Sequence, residues 1–392
     1  MIVSPSNRVA KVKTYYFATK LAEIARLNAK GKDIINLGIG SPDLLPPSEV
    51  ITLLKQEIDK PEAHKYQSYK GITELRKAFS EFYNKYFGVN LDPVDEILPL
   101  IGSKEGIMHI CMSFLNEDDE VLIPNPGYPT YASATKLAGG IPRAYDLTDD
   151  NGWQPDFSAL ESTDLSKVKI MWVNYPHMPT GQKGNHKLYT DLVAFSKRNN
   201  ILLCHDNPYS FILNDEPMSI MAVEGAKDCC LELVSLSKTY NMAGWRVGAV
   251  VGAKEYIDVV MRFKSNMDSG MFKPVQMAAC AALSQKQEWY SLINAIYKRR
   301  REKVWAIMDL LDVAYDTEAV GLFVWGKPRQ PKDIKAWVDN ILYSASVFIT
   351  PGFIFGSNGD EYIRIALCSD EKILEEAMKR ISDIEHEKRA VI

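Results

Sequence analysis

Lys238 lies in Ser235-Leu236-Ser237-Lys238, and Gly244-Trp245-Arg246-Val247-Gly248 follows after a short spacer. A primary amine flanked by small hydroxyls, with an arginine close behind, suits imine formation with a carbonyl cofactor whose phosphate the serines and Arg246 would hold. A solvated lysine at the start of a loop would have the same neighbours. Three further groups could act with it. Ile101-Gly102-Ser103-Lys104-Glu105-Gly106 directly precedes a helical run. Small residues entering a helix leave N–H groups free, so Gly102, Ser103 and Lys104 read either as a phosphate cradle or as an ordinary helix cap. The spacing is not that of a P-loop, and Gly38-Ile39-Gly40 does not complete a dinucleotide fingerprint. His205-Asp206-Asn207-Pro208-Tyr209 follows the apolar run Ile201 to Cys204. A carboxylate at a buried strand end is costly without a cation beside it. A protonated pyridine nitrogen would serve, with Tyr209 donating to a phenolic oxygen; a helix cap is the plainer reading. In Asn125-Pro126-Gly127-Tyr128-Pro129-Thr130-Tyr131, a tyrosine between two prolines suits either a stacking surface for a flat ring or a proline-rich turn.

Each group sits where an element should end. Alternating apolar runs predict strands over 34–37, 96–100, 120–124, 168–173, 201–205 and 231–235. Helical segments interleave with them from about residue 72 to 305, which predicts a mostly parallel sheet covered by helices on both faces. In such α/β sheets ligands bind at the carboxyl ends of the strands, where these loops fall. Helical periodicity also marks 16–27, a long charged stretch over 287–311 and an amphipathic segment over 370–386. The expected plan is a three-layer αβα large domain over 36–286, with a small α+β domain built from both termini, 1–35 and 287–392.

Composition narrows the function classes. The 392 residues are 46% hydrophobic and 24% charged, with net charge −4, an ordinary globular balance without the basic footprint of a nucleic-acid binder. The one basic cluster, Lys298-Arg299-Arg300-Arg301, is expected on an exposed helix face. The six cysteines show no metal-ligand spacing and sit among apolar neighbours, as thiols do in a reducing compartment. No signal pattern or membrane-spanning run appears, so the expectation is a cytoplasmic protein with no metal, nucleic-acid or membrane partner.

Taken in order, the segments resemble the class I/II aminotransferases, fold-type-I enzymes dependent on pyridoxal 5′-phosphate (PLP), over essentially the whole chain. The resemblance rests on Leu37 to Asp43, Tyr66 to Gly71 with Leu75-Arg76, and Gly102-Ser103-Lys104. It continues through Pro126 to Pro129, Asn174 to Gly181, Asp206 with Tyr209, Ser235 to Gly248, and Tyr362-Ile363-Arg364. It implies a Schiff base between Lys238 and PLP, with Lys238 then moving the substrate Cα proton. Asp206 would keep the pyridine nitrogen protonated, Tyr209 would donate to the ring O3′, and Tyr128 would stack on the ring. Gly102, Ser103, Lys104, Ser235, Ser237 and Arg246 would surround the phosphate. Tyr66 would reach in from a second subunit, implying an obligate homodimer. Arg364 would clamp the substrate α-carboxylate, aided by the backbone of Gly40. The stretch Tyr15-Tyr16-Phe17 reads either as a lid over the substrate or as the start of a surface helix.

The implied reaction is transfer of an amino group between an L-amino acid and a 2-oxo acid. Lyase chemistry on the same fold, by β-elimination or decarboxylation, and a non-catalytic regulator are the alternatives. Lys264-Ser265-Asn266-Met267-Asp268-Ser269-Gly270 resembles the branch of alanine and LL-diaminopimelate aminotransferases, so an acidic or dibasic substrate stays open, although no arginine stands out for a side-chain carboxylate. One departure matters. Met178 occupies the place of the family's Asn before Pro-Thr-Gly, and a thioether cannot donate to O3′. The Schiff-base pKa is therefore expected to rise by roughly one to two units, the worth of a charge-linked hydrogen bond. His177 could partly substitute or be a structural variant, and its direction is not readable from the sequence.

Overall fold

The computed structural model describes residues 2–12, 16–330 and 332–390. The thirteen strands among them are β1 (Ile35–Asn36), β2 (Ile97–Leu100), β3 (Glu120–Asn125), β4 (Ile141–Asp146), β5 (Val168–Val173), β6 (Leu202–Asn207), β7 (Cys230–Ser235), β8 (Gly248–Gly252), β9 (Val313–Tyr315), β10 (Phe323–Pro328), β11 (Val347–Phe348), β12 (Thr350–Pro351) and β13 (Ile363–Ala366). Seven of these form the main sheet in the order β2-β8-β7-β6-β5-β3-β4. Every pairing from β7 through β6, β5 and β3 to β4 is parallel, and β8 alone runs against its two neighbours.

The central strands are buried on both faces, and successive side chains pack on opposite sides of the sheet. Ile170, Trp172, Leu202, Cys204, Leu231 and Leu233 pack on one face with Ile107, Ile110, Ile257 and Val260 of the helices Ser103–Phe114 and Lys254–Lys264. Met171, Val173, Leu203 and Val234 pack on the other with Leu188, Leu192 and Phe195 of the helix His186–Asn199. The expected three layers are therefore present. Strands β4 and β8 were not anticipated. β4 is an edge strand whose burial does not alternate cleanly, and β8 is a short Gly-bounded run entered from the opposite direction.

A second, antiparallel sheet, β12-β13-β10-β9, comes entirely from the last eighty residues or so, while β1 pairs with β11 far along the chain. The helix Gln287–Leu310 carries the chain between the two sheets. Here one expectation fails. Arg300 is buried, its guanidinium bridging both carboxylate oxygens of Asp43 at 2.6 and 2.8 Å, and only part of the basic cluster is exposed. A helix of 24 residues that packs on one side must bury some register positions, and a charge can take one when a bidentate partner waits there. All six cysteines are free thiols, five of them buried. Among the described residues no helix is long and apolar enough to cross a membrane.

Candidate active site

The reversal of β8 gathers the site. Gly248, at the start of β8, pairs with Ser235 at the end of β7 and with Leu100 at the end of β2. Lys238, Arg246 and Ser103 each lie a few residues beyond one of these, so all three meet at one sheet edge. Asp206 on β6, Tyr128 after β3 and Asn174 after β5 come to the same edge. Together with residues of the second sheet they line a cavity of about 410 Å³. The lining contains Gly40, Ser103, Lys104, Tyr128, Asp206, Tyr209, Ser235, Ser237, Lys238, Arg246 and Arg364.

Gly102 opens the helix Ser103–Phe114 at φ +83°, and a Cβ there would stand 2.2 Å from Nη2 of Arg246. Only glycine lets the guanidinium lie against the free N–H groups of that helix, so a cation and a helix N-terminus face the same space. Arg246 Nη1 also donates to the Ala243 carbonyl at 2.9 Å and lies 3.4 Å from the Ser237 hydroxyl. Ser235 caps the short turn that carries Lys238, its hydroxyl accepting from the Ser237 amide at 3.2 Å.

Lys238 Nζ donates to the Gly40 carbonyl at 2.5 Å. Burial lowers its pKa, and the nearby Arg364 and Arg246 push the same way. Asp206 is buried, and burial raises its carboxyl to about 6 against the smaller opposing pull of the Tyr131 hydroxyl, which donates to Oδ2 at 3.0 Å. Its Oδ1 has no hydrogen-bond partner among the described residues. A buried carboxylate oxygen left without a donor fits a cationic ring nitrogen, and the Gly102–Ser103–Arg246 cradle fits a phosphate; the residues present fit PLP. His205, adjacent in sequence, points to the opposite face of the sheet and meets Glu232 at 2.7 Å. Asp206 thus lies within β6 rather than at a helix start.

Arg364 on β13 donates to the Gly38 carbonyl at 2.7 Å and lies 3.3 Å from the Met178 sulfur. The rings of Phe323, Phe355 and Phe17 surround its guanidinium at 4.0, 4.6 and 5.7 Å. A Cβ on Gly40 would collide with the Phe323 ring at 2.4 Å, so glycine here lets β1 and β10 close over the lysine.

Not every expected residue joins the cavity. Tyr66 is 91% exposed and lines none of it in this chain. Tyr15 lies outside the described residues. His177 does not line the cavity; its Nδ1 meets the Thr180 hydroxyl at 2.8 Å, and burial depresses its pKa to about 3. It is therefore neutral and turned away, and Met178 alone faces the site. Sequence reading missed Tyr131 and Asn174, whose amide donates to the Asp206 carbonyl at 2.6 Å and accepts from the Met178 amide. The i, i+3 spacing of Tyr131 from Tyr128 was its only signal. Outside the cavity, Glu105, His109 and Asp268 bring ligand atoms within 4.8 Å of one another, but Lys264 already holds both oxygens of Asp268 at 2.8 and 2.6 Å.

The comparisons agree with this geometry. The family profile "Aminotransferase class I and II" matches residues 32–381. An LL-diaminopimelate aminotransferase of Natranaerobius thermophilus is 40% identical over 380 residues, 96% of this chain and 98% of the relative. Another from Dehalococcoides mccartyi (strain ATCC BAA-2266 / KCTC 15142 / 195) is 37% identical over 380 residues, covering 96% and 98%. The substrate-bound structure of BacF from Bacillus subtilis superposes with a TM-score of 0.93 at 34% identity, covering 98% of each chain. The chain belongs to the class I and II aminotransferases, PLP-dependent enzymes of fold type I.

Proposed function

We propose that this enzyme moves an amino group between an L-α-amino acid and a 2-oxo acid at the cavity built on Lys238. A single observation carries the assignment of roles: a desolvated lysine amine, a guanidinium and a carboxylate oxygen without a donor line the same 410 Å³ cavity. Bound PLP supplies an aldehyde that takes up amines and a protonated ring that withdraws electrons from the substrate. The chain's own residues do the rest. Arg364 binds the α-carboxylate, its planar fork matching two oxygens, and the aromatic rings around it exclude water. Lys238, with its pKa lowered by burial, carries the proton at the substrate Cα. Asp206 holds the ring nitrogen protonated, and Tyr131 and Asn174 fix the Asp206 carboxylate and backbone. Tyr209 donates to the ring oxygen, Tyr128 covers the ring face, and Gly102, Ser103, Lys104, Ser235, Ser237 and Arg246 surround the phosphate.

The same reading extends to the assembly. Tyr66, an aromatic standing 91% exposed on the segment before Gly71, suits a role in the site of a second copy, and the working unit is a homodimer. The pairing of β1 with β11 supports a small domain drawn from 1–35 and 287–392 beside a large domain over 36–286. Six free thiols suit a cytoplasmic enzyme.

The test is Lys238→Ala. Loss of the general base and of the amine should lower turnover by on the order of 10³-fold or more. Borohydride treatment followed by peptide mass spectrometry should find PLP attached in the wild type and absent from the variant. A variant with wild-type turnover, or attachment at another lysine, would refute the assignment.

A further inference from the structure

The cavity side of β6 carries Asp206; its other side carries a charged pair that the proposed function does not use. His205 and Glu232 stand opposite each other on β6 and β7, on the same face of the sheet, and both are fully buried. Four donors converge on the Glu232 carboxylate. The Tyr83 and Ser219 hydroxyls donate to Oε1 at 2.7 and 2.8 Å, and the Ile220 amide donates to Oε2 at 3.0 Å. The fourth is Nδ1 of His205, 2.7 Å from Oε2. A carboxyl so supplied with donors is ionised, and an ionised carboxylate in a dry core needs a cation. His205 is the one basic side chain among the described residues that reaches it. Its other nitrogen, Nε2, lies 2.9 Å from the Tyr175 carbonyl, which can only accept, and 3.3 Å from the Tyr175 amide. The shorter contact and the carboxylate together require a ring that carries two protons.

We propose that Glu232 and His205 are a positioning pair for Asp206: Glu232 keeps the imidazole charged, and that charge, one residue behind Asp206, keeps its carboxylate ionised. The proposal rests on the role given to Asp206 above, since a neutral carboxylic acid could not hold a ring nitrogen protonated. The cation stands on the strand of Asp206 and the balancing carboxylate on the next, so Asp206 meets the positive end of the pair first. Burial raises the Asp206 carboxyl most strongly; the Tyr131 hydroxyl, the imidazole and Lys238 pull it back down, in that order. The other titratable groups around the pair are Tyr83, Tyr175, Tyr189 and Cys230. Burial raises the three tyrosines, and the Cys229 thiol together with burial raises Cys230, so none of them supplies a competing anion. On the cavity side, burial likewise keeps Tyr128, Tyr131 and Tyr209 neutral. The end of β5 holds both residues in place: the Tyr175 carbonyl meets the His205 ring, and the Asn174 amide donates to the Asp206 carbonyl at 2.6 Å.

Infrared titration of the full-length apoenzyme reads the Asp206 carboxyl directly, with Asp206→Asn as the blank. The double variant His205→Gln/Glu232→Gln keeps a hydrogen-bonded pair without its charges. It should move the carboxyl midpoint up by about one pH unit, the low end of what a neighbouring opposite charge supplies. A midpoint unmoved in the double variant, with only the melting temperature lowered, would make the pair structural and overturn the proposal. Nitrogen NMR of the wild type with labelled imidazoles needs no substitution, so it decides the matter even if the double variant does not fold. One ring should keep both protons at about pH 8, above the usual imidazole range, and a spectrum with no such ring would also overturn the proposal. The role of Asp206 is tested separately, by nitrogen NMR of PLP labelled at the ring nitrogen and bound to the wild type or to Asp206→Asn. A ring nitrogen equally protonated in both would overturn that role and leave the effect of the pair on the carboxyl standing.

Discussion

Met178 stands where the resemblance led one to expect an asparagine. Its side chain is 5% exposed, faces the cavity, and touches the Arg364 guanidinium at 3.3 Å. A sulfur in that place offers no hydrogen to a ring oxygen, which under the proposed roles would leave Tyr209 as the donor from the protein. The cation proposed at Lys238 would then be the main neighbour stabilising that oxygen's charge. We expect Met178→Asn to lower the pH midpoint of the visible absorbance of the PLP-loaded enzyme by roughly one to two units, the equivalent of one charge-linked hydrogen bond. A spectral titration of both proteins checks this; an unchanged or higher midpoint in the variant would show that the thioether is not what sets it. The sequence named Met178 and His177 as the place to look. It did not say which faced the cofactor, because two adjacent side chains in a turn point apart in a direction that only the surrounding packing decides.

At the scale of elements, the approach of a helix N-terminus to the segment between β7 and β8 makes the proposed anion site. Gly102 is the hinge of that approach, since its φ of +83° and the 2.2 Å spacing to Arg246 leave no room for a Cβ. Gly102→Ala should push the guanidinium aside and weaken PLP binding about 10- to 100-fold, the loss of one charge-assisted hydrogen bond. Titration of the apoenzyme with PLP measures it. An affinity within twofold of wild type would mean that Arg246 moves without cost. The strands bearing the site were readable because each has an apolar run, and the loops were readable because glycine, proline and hydroxyls follow those runs. β8 was not. Three residues between two glycines carry no direction, and the antiparallel pairing that brings Arg246 beside Ser103 comes from the register of three strands. Asp206 shows the same limit: its place in β6 rather than at a helix start depends on how far β7 continues beside it.

Over the whole molecule, the cavity draws on segments separated by more than three hundred residues, from Phe17 to Arg364. The proposed assembly adds Tyr66 from a second copy. Mixed dimers would reveal it: Lys238→Ala and Tyr66→Ala proteins, each impaired alone, should recover activity when unfolded and refolded together. Half of the sites in a hybrid dimer then contain both native residues. Activity no greater than the sum of the separate proteins would place Tyr66 outside the partner's site. The sequence by itself determined the layered α/β class and the family, because strand periodicity, turn residues and short motifs are local properties. Only the tertiary structure decided that Arg300 is buried against Asp43, that His205 and Asp206 face opposite sides of the sheet, and that aromatic rings enclose Arg364. These are matters of register and of contacts across long stretches of chain, where burial is settled by what packs opposite and not by the residue's own polarity.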